Sequence, residues 1–296
     1  MRGAIEIDTG FLYTSRIPTR AAFCGVQVLM NADDTASQFV NARLQARPLT
    51  AFPGILAPDL AAAYDCQLRA IARWPDRIAG WKVARIGATW QSRYAEERLI
   101  GPVFARNVHP FTGIPVDCPV FDGGLAAVEA EIGIVVSADA APGKTDWNAG
   151  SATELVGQVC IGVEIASSPL ATLNDLGPGA VVSDFGNNWG VILGAPLNDW
   201  RSASALPVET YIDGALVGSA PVVPGGAPLE ALAFAANKAA LLGLPLRGGA
   251  YISTGMITGV HDIRVGQRAR LVFADRGEIL CRITAARPIA AAVGAP

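Results

Sequence analysis

The sequence predicts an α+β protein with a mixed, curled sheet behind a small helical segment. Three observations lead there. Helical spacing is concentrated near the front, period-two alternation and turn signals dominate from Lys82 onward, and one long helical pattern interrupts them late.

Taken in order, residues 1–30 carry Arg2, Glu6, Asp8, Arg16 and Arg20, which break up any apolar run of the secretory kind. We expect Met30 to be the biological start and the residues before it to be a poorly packed or disordered extension. A helical segment at 31–80 and a main domain at 81–296 follow. Asn31 to Arg47 reads as a helix capped by Asp33 or Asp34, with Phe39, Val40 and Leu44 on one side and Pro48 past its end. Pro58 to Trp74 reads as a second, with Leu60, Tyr64, Leu68 and Ile71 spaced at three and four.

Later signals are mainly β. Val208 to Ile212 and Ala215 to Ser219 flank Asp213-Gly214, a type I′ hairpin signal. Two strands are expected around Asp275, Arg276 and Gly277, and Trp189 to Leu193 reads as another. Pro228 to Leu242 is the long helix, with Leu229, Leu232, Ala233, Ala236 and Ala240 inward and Gly243 at C′. Ser151 and Glu154 fit a capping box for a shorter one. The loop from Ser137 to Gly150 reads as a surface loop, with a lid as the alternative.

Composition narrows the function. Hydrophobic residues at 51% against 17% charged provide for a sizeable core. A net charge of −3 without a basic run argues against nucleic acid as a partner. Five scattered cysteines with no C-x-x-C pair fit unpaired thiols in a reducing compartment, and no apolar run reaches the roughly 18–20 residues that span a bilayer. Both point to the cytoplasm.

The chemistry concentrates in A-V-E-A-E-I-G-I-V-V, Ala127 to Val136. Alternation puts Val128, Ala130, Ile132, Ile134 and Val136 on one face and Glu129, Glu131 and Gly133 on the other. Val159 to Ser167 repeats the design, with Glu164 between Gly162 and Ala166. If the two strands are neighbours, three carboxylates converge over an open floor of Gly133, Gly162 and Ala166. Such a group must be solvated, partly protonated or neutralised by a cation. An all-oxygen set suits Mg²⁺ first, then Mn²⁺ or Ca²⁺. The competing reading is an ordinary solvated face of an edge strand.

Six motifs occur in one order: G-W-K-V-A from Gly80, I-G-P-V-F-A from Ile100, V-E-A-E-I from Val128, G-V-E-I-A-S-S from Gly162, S-D-F-G-N-N-W-G-V-I-L-G from Ser183 and T-G-M-I-T-G from Thr254. Together they resemble the fumarylacetoacetate hydrolase superfamily, in its 2-oxopent-4-enoate hydratase and 4-oxalocrotonate decarboxylase branch, from about Asn31 to about Ile283. The resemblance implies a β-roll or sandwich-like catalytic domain. It also implies a divalent ion, Mg²⁺ first, on Glu129, Glu131 and Glu164, with Lys82 as the catalytic proton carrier. Asp184 is implied as a second catalytic residue, and Asn188, Thr254, Gly255 and Ser167 as substrate-binding residues.

Each assignment has a structural rival. Lys82 could simply pair with a glutamate, and the opposed effects of burial and nearby carboxylates leave the direction of its pKa open. Asp184 to Asn188 could be a plain turn, and Thr254-Gly255 a tight strand end. His109 and His261 read as surface or loop residues beside Pro110 and Gly259, and no G-x-S-x-G or Walker-type loop occurs.

Two positions depart from the family pattern. Leu99 stands where hydratases of the branch usually carry an acidic residue, and Pro169 where relatives often have an arginine. The expectation is a hydratase of a 2-hydroxy-2,4-dienoate or its 2-oxo-enoate tautomer, working through an enolate late in aromatic breakdown. The alternatives are hydrolysis of an acylpyruvate-like substrate, decarboxylation of a 2-oxo diacid, and a non-catalytic 2-oxo acid-binding subunit. The resemblance further implies a homodimer or larger homo-oligomer, with a related decarboxylase as a further implied partner in a complex.

Overall fold

A computed structural model describes residues 31–289; the extension expected at 1–30 lies outside the described residues. The chain runs α1 (Ala32–Leu44), α2 (Leu60–Arg73), β1 (Ile78–Arg85), α3 (Ala88–Gln91), β2 (Arg98–Phe104), β3 (Val108–Pro110), β4 (Val116–Val120), β5 (Leu125–Val136) and α4 (Ala149–Ala152). It continues with β6 (Val156–Ser168), α5 (Pro178–Ser183), β7 (Asn188–Pro196), β8 (Leu206–Ile212), β9 (Ala215–Val222) and α6 (Ala227–Leu241). The strands β10 (Tyr251–Ser253), β11 (His261–Asp262), β12 (Arg268–Val272) and β13 (Glu278–Ala285) complete it.

Helix ends follow local hydrogen bonding. Asn31 caps α1, not Asp33 or Asp34: its Oδ1 accepts both aspartate amides, and Asp34 accepts the Asn31 amide in return. The aspartates sit instead in the first turn, where their charge suits the helix dipole. The box at α4 is likewise shifted, with Asn148 as the cap and Ser151 as its third residue. Glu154 takes no part in it. In the β8–β9 hairpin Asp213 and Gly214 both have positive φ, 49° and 84°, as the type I′ turn requires.

The strands form two mixed sheets. The larger runs β2-β1-β10-β5-β6-β7-β3, with β11 on β5, and the smaller runs β4-β13-β12-β8-β9. In the larger sheet, Val128, Ala130, Ile132 and Ile134 of β5 and Ile161, Val163 and Ile165 of β6 enter the main core shared with α6 and the second sheet. Their alternate neighbours turn into the curl of the sheet. There Val103, Cys160, Val191 and Tyr251 make a small separate cluster at one end, and charged groups fill the rest.

The front helices pack on the same body. Tyr64 and Gln67 of α2 bond the amide and carbonyl of Ile100, and Arg43 of α1 reaches β6 and β7. The loop from Ser137 to Gly150 is tied to α6 and to residues 246–248, through Ala140 to Leu246 and Trp147 to Asn237. None of it lines the cavity described below. Among the described residues no helix is long and apolar enough to cross a membrane.

Candidate metal centre and cavity

The β5–β6 register sets Glu129 opposite Glu164 and Glu131 opposite Gly162. All three carboxylates therefore share one face, and one oxygen of each lies within 4.8 Å of the others. They are buried, Glu129 at 6% exposure and Glu131 and Glu164 at 0%, which excludes the solvated edge strand. β10 and β1 extend the row, Gly133 pairing with Ser253 and Ser253 with Lys82.

Lys82 is the cation in this group. Its Nζ lies 3.2 Å from Glu164 Oε1 and donates to Asn187 Oδ1 at 3.0 Å. Ser253 Oγ donates to Glu131 Oε2 and stands 3.3 Å from Glu164 Oε2, while Asn188 Nδ2 donates to Glu164 Oε1 at 2.9 Å. Glu131 Oε1 is buried without a partner.

The electrostatics follow from three buried carboxylates facing one ammonium. Burial raises Glu129 to about 7, with Glu164 adding repulsion and Lys82 opposing it. Burial also pushes Glu131 well above the usual carboxylate range, with Glu164 and Glu129 adding to the effect. For Lys82, burial disfavours the charge, but Glu164, Glu129 and Glu131 outweigh it and the pKa is raised. That answers the question left open by the sequence.

The group fits a divalent ion. With all three carboxylates ionised, as ligands to a cation are, two negative charges remain after Lys82 is counted; the donors are all oxygen, and Glu131 Oε1 is unpartnered in a dry site.

One expectation fails here. The floor of Gly133 and Gly162 is not open, because Tyr251 crosses it. A Cβ on either glycine would lie 2.2 or 2.5 Å from the Tyr251 hydroxyl. The open space lies instead beside Lys82 and Glu129, in a cavity of about 390 Å³ that Asn187, Thr254 and Gly255 also line. Its wall next to Lys82 is apolar, from Ala84, Leu99 and Ile132. The two histidines lie elsewhere, in β3 and β11, both partly buried rather than in surface loops.

Three residues expected at the site stand behind it instead. Asp184, at 0% exposure, gives both carboxylate oxygens to Arg43, at 2.5 and 2.9 Å from Nε and Nη2. Ser167 Oγ accepts the Phe121 amide and donates to the Leu125 carbonyl. Asn188 acts on Glu164, as above. None of the three lines the cavity.

Two neighbours were missed. Phe185, Gly186 and Asn187 all have positive φ, at 55°, 66° and 55°, and this left-handed run delivers Asn187 to Lys82. No local signal distinguishes Asn187 from Asn188. Ser253, by contrast, was accessible: it immediately precedes the Thr254 motif and alternates with Tyr251.

This architecture, a curled mixed sheet beside a smaller one, is an α+β fold of the fumarylacetoacetate hydrolase type. Among solved structures, the chain is similar to 4-oxalocrotonate decarboxylase from Pseudomonas putida G7 complexed with calcium and acetate, with 24% identity, 85% of this chain and 96% of that one covered, and a TM-score of 0.68. The same enzyme complexed with magnesium and adipate gives 24%, 85% and 97%, again at 0.68. Fumarylpyruvate hydrolase from Pseudomonas aeruginosa, in complex with Mn²⁺ and pyruvate, gives 15% identity, 72% and 91% coverage and a TM-score of 0.52. No family model matches the chain, and no curated protein matches it significantly.

Proposed function

We propose that the chain is a divalent-metal-dependent member of this superfamily, a lyase acting on 2-oxo acids through their enolates. The observation that carries the reading is the buried cluster of Glu129, Glu131 and Glu164 with the Lys82 ammonium 3.2 Å from Glu164, beside a cavity large enough for a small acid. Glu129, Glu131 and Glu164 would hold Mg²⁺, which when bound would supply Lewis-acid polarisation of the substrate ketone. Every other role falls to the chain. Lys82 carries the proton between the substrate carbon and the site, at Nζ, and Asn187 aims that nitrogen from the cavity wall. Ser253 and Asn188 hold Glu131 and Glu164 in place. The apolar wall keeps bulk water from the enolate.

The motif resemblance favours hydration of a 2-hydroxy-2,4-dienoate. A second reading, decarboxylation of a 2-oxo diacid, draws support from Leu99. That side chain lines the cavity where a carboxylate would orient the attacking water, so Lys82 is the one proton carrier there besides the metal-ligand set. Hydrolysis of an acylpyruvate fits less well, since no histidine lines the cavity. Homodimerisation belongs to the same proposal.

Purified protein with Mg²⁺ and 2-hydroxypenta-2,4-dienoate, an acylpyruvate or oxaloacetate, followed by ultraviolet absorbance and product NMR, tests the reading. A 4-hydroxy-2-oxo acid establishes hydration, and CO₂ release establishes decarboxylation. Turnover that survives both Lys82→Ala and Glu131→Ala would refute the site.

A further inference from the structure

The cavity continues past Lys82 to the ends of β1 and β2, where its wall changes character. Arg85 and Arg98 face each other in the ladder, and both line the cavity. Arg98 is 8% exposed, yet among the described residues its one side-chain hydrogen bond is from Nη2 to Glu230 Oε2, at 2.9 Å. Arg85 shares that same oxygen, at 3.8 Å. Glu230 is largely solvent-exposed, so a half-solvated carboxylate serves two guanidinium groups, one of them buried. Burial and the neighbouring Arg85 both act against the Arg98 charge more than Glu230 relieves it. The remaining donors of Arg98 have no protein acceptor among the described residues.

The cavity joins the two ends around the edge of the ladder. Lys82 and Arg85 are three residues apart, roughly 10 Å of extended strand, and leave opposite faces of it, so the cavity links the two charges where it wraps the ends of β1 and β2. Between them lie Ala84 and Leu99, which offer a short carbon chain an apolar surface and no hydrogen bond.

Resting on the 2-oxo acid reading above, we infer that Arg98, with Arg85 beside it, is the subsite for a second carboxylate. The substrate class is then a 2-oxo diacid with an apolar middle, its 2-oxo end at the glutamates and its distal anion at the arginines. Arg98 would be the specificity-determining residue, and Glu230 the internal anion that the substrate displaces in part. A bidentate guanidinium–carboxylate pair formed away from bulk water is among the stronger polar contacts a protein offers.

The test compares two acids that differ only in the distal group, 2-oxoadipate and 2-oxohexanoate, binding to full-length protein with Mg²⁺ in a calorimeter. The expected wild-type preference for the diacid is about tenfold or more, the scale of one charge-assisted hydrogen bond. Arg98→Gln is expected to bring the ratio of affinities close to one, and Glu230→Gln to increase it. A wild-type ratio near one, or a ratio that survives Arg98→Gln while both affinities fall together, would overturn the subsite and leave Arg98 as an anchor of α6. Failure of both acids to bind the metal-loaded wild type would overturn the 2-oxo acid reading itself, and the subsite with it.

Discussion

Lys82 Nζ stands 3.2 Å from Glu164 Oε1, and the two side chains are 2% and 0% exposed. On the proposed function, so close a buried pair links the residue assigned to proton transfer with one of the three glutamates assigned to the metal. Removing the ammonium takes away the proton route and leaves the carboxylates to be neutralised by the metal alone. Lys82→Ala is therefore expected to lower kcat by about 10²- to 10⁴-fold while Mg²⁺ binding persists. Glu131→Gln and Glu164→Gln should weaken Mg²⁺ binding itself. Turnover and calorimetry on the three variants separate the roles, and loss of metal binding in Lys82→Ala would contradict them.

The raised carboxylates make a pH prediction whose sign is fixed. Glu129 titrates at about 7 in the folded chain against an ordinary 4.5, so between those values the folded state binds more protons than the unfolded one. Metal-free protein should then lose stability as pH rises through this window, by about 1.4 kcal/mol per pH unit for one such group. Bound Mg²⁺ should reverse the slope, because it competes with those protons. Melting temperatures at pH 5 and 7.5, in chelator and in Mg²⁺, check this. Glu129→Gln in chelator should show a flatter profile, and an unchanged slope in that variant would assign the effect elsewhere.

Much of this site was legible because β alternation is local. The positions of Glu129, Glu131 and Glu164 on one face follow from a period of two, and the register that joins them needs only that two long strands pair. What was not legible depended on distant backbone. Tyr251 fills the glycine floor because β10 runs parallel to β1 and antiparallel to β5, a pairing across more than a hundred residues that no local pattern states. Asn187 reaches Lys82 through three left-handed residues, two of them not glycine. Asp184 was read as catalytic because its motif borders the site, whereas its partner Arg43 lies on a helix 141 residues earlier.

The Arg43–Asp184 pair carries its own prediction. Both side chains are buried, at 4% and 0% exposure, and Arg43 also bonds the carbonyls of Ser167 and Asn188. Taking one member away strands the other in a dry interior. Arg43→Met is expected to cost about 3–5 kcal/mol of stability in chemical denaturation. Asp184→Asn should also destabilise, but below its melting temperature it should keep kcat within a few-fold of wild type if Asp184 positions the turn and takes no part in the chemistry. A loss of kcat in Asp184→Asn comparable with that of Lys82→Ala would restore it to the catalytic set.

Gly162 and Gly133 meet the same ring in different ways, which makes a double-mutant test decisive. A Cβ on Gly162 would lie 2.5 Å from the Tyr251 hydroxyl, with its next contacts at 3.5 and 3.6 Å, so the hydroxyl alone obstructs it. A Cβ on Gly133 would meet the hydroxyl at 2.2 Å and also two ring carbons at 2.4 and 2.5 Å. The hydroxyl itself is buried without a partner, so Tyr251→Phe should be neutral or stabilising on its own. Gly162→Ala should cost about 1–3 kcal/mol, the usual scale of overpacking, and Tyr251→Phe should restore most of it. Gly133→Ala should be the more damaging change, and the same second substitution should leave it largely unrescued because the ring carbons remain. Urea unfolding of the five variants in chelator reads both couplings. Equal rescue at the two glycines would show that the ring moves freely, and that Tyr251 is not the fixed floor beneath the three glutamates.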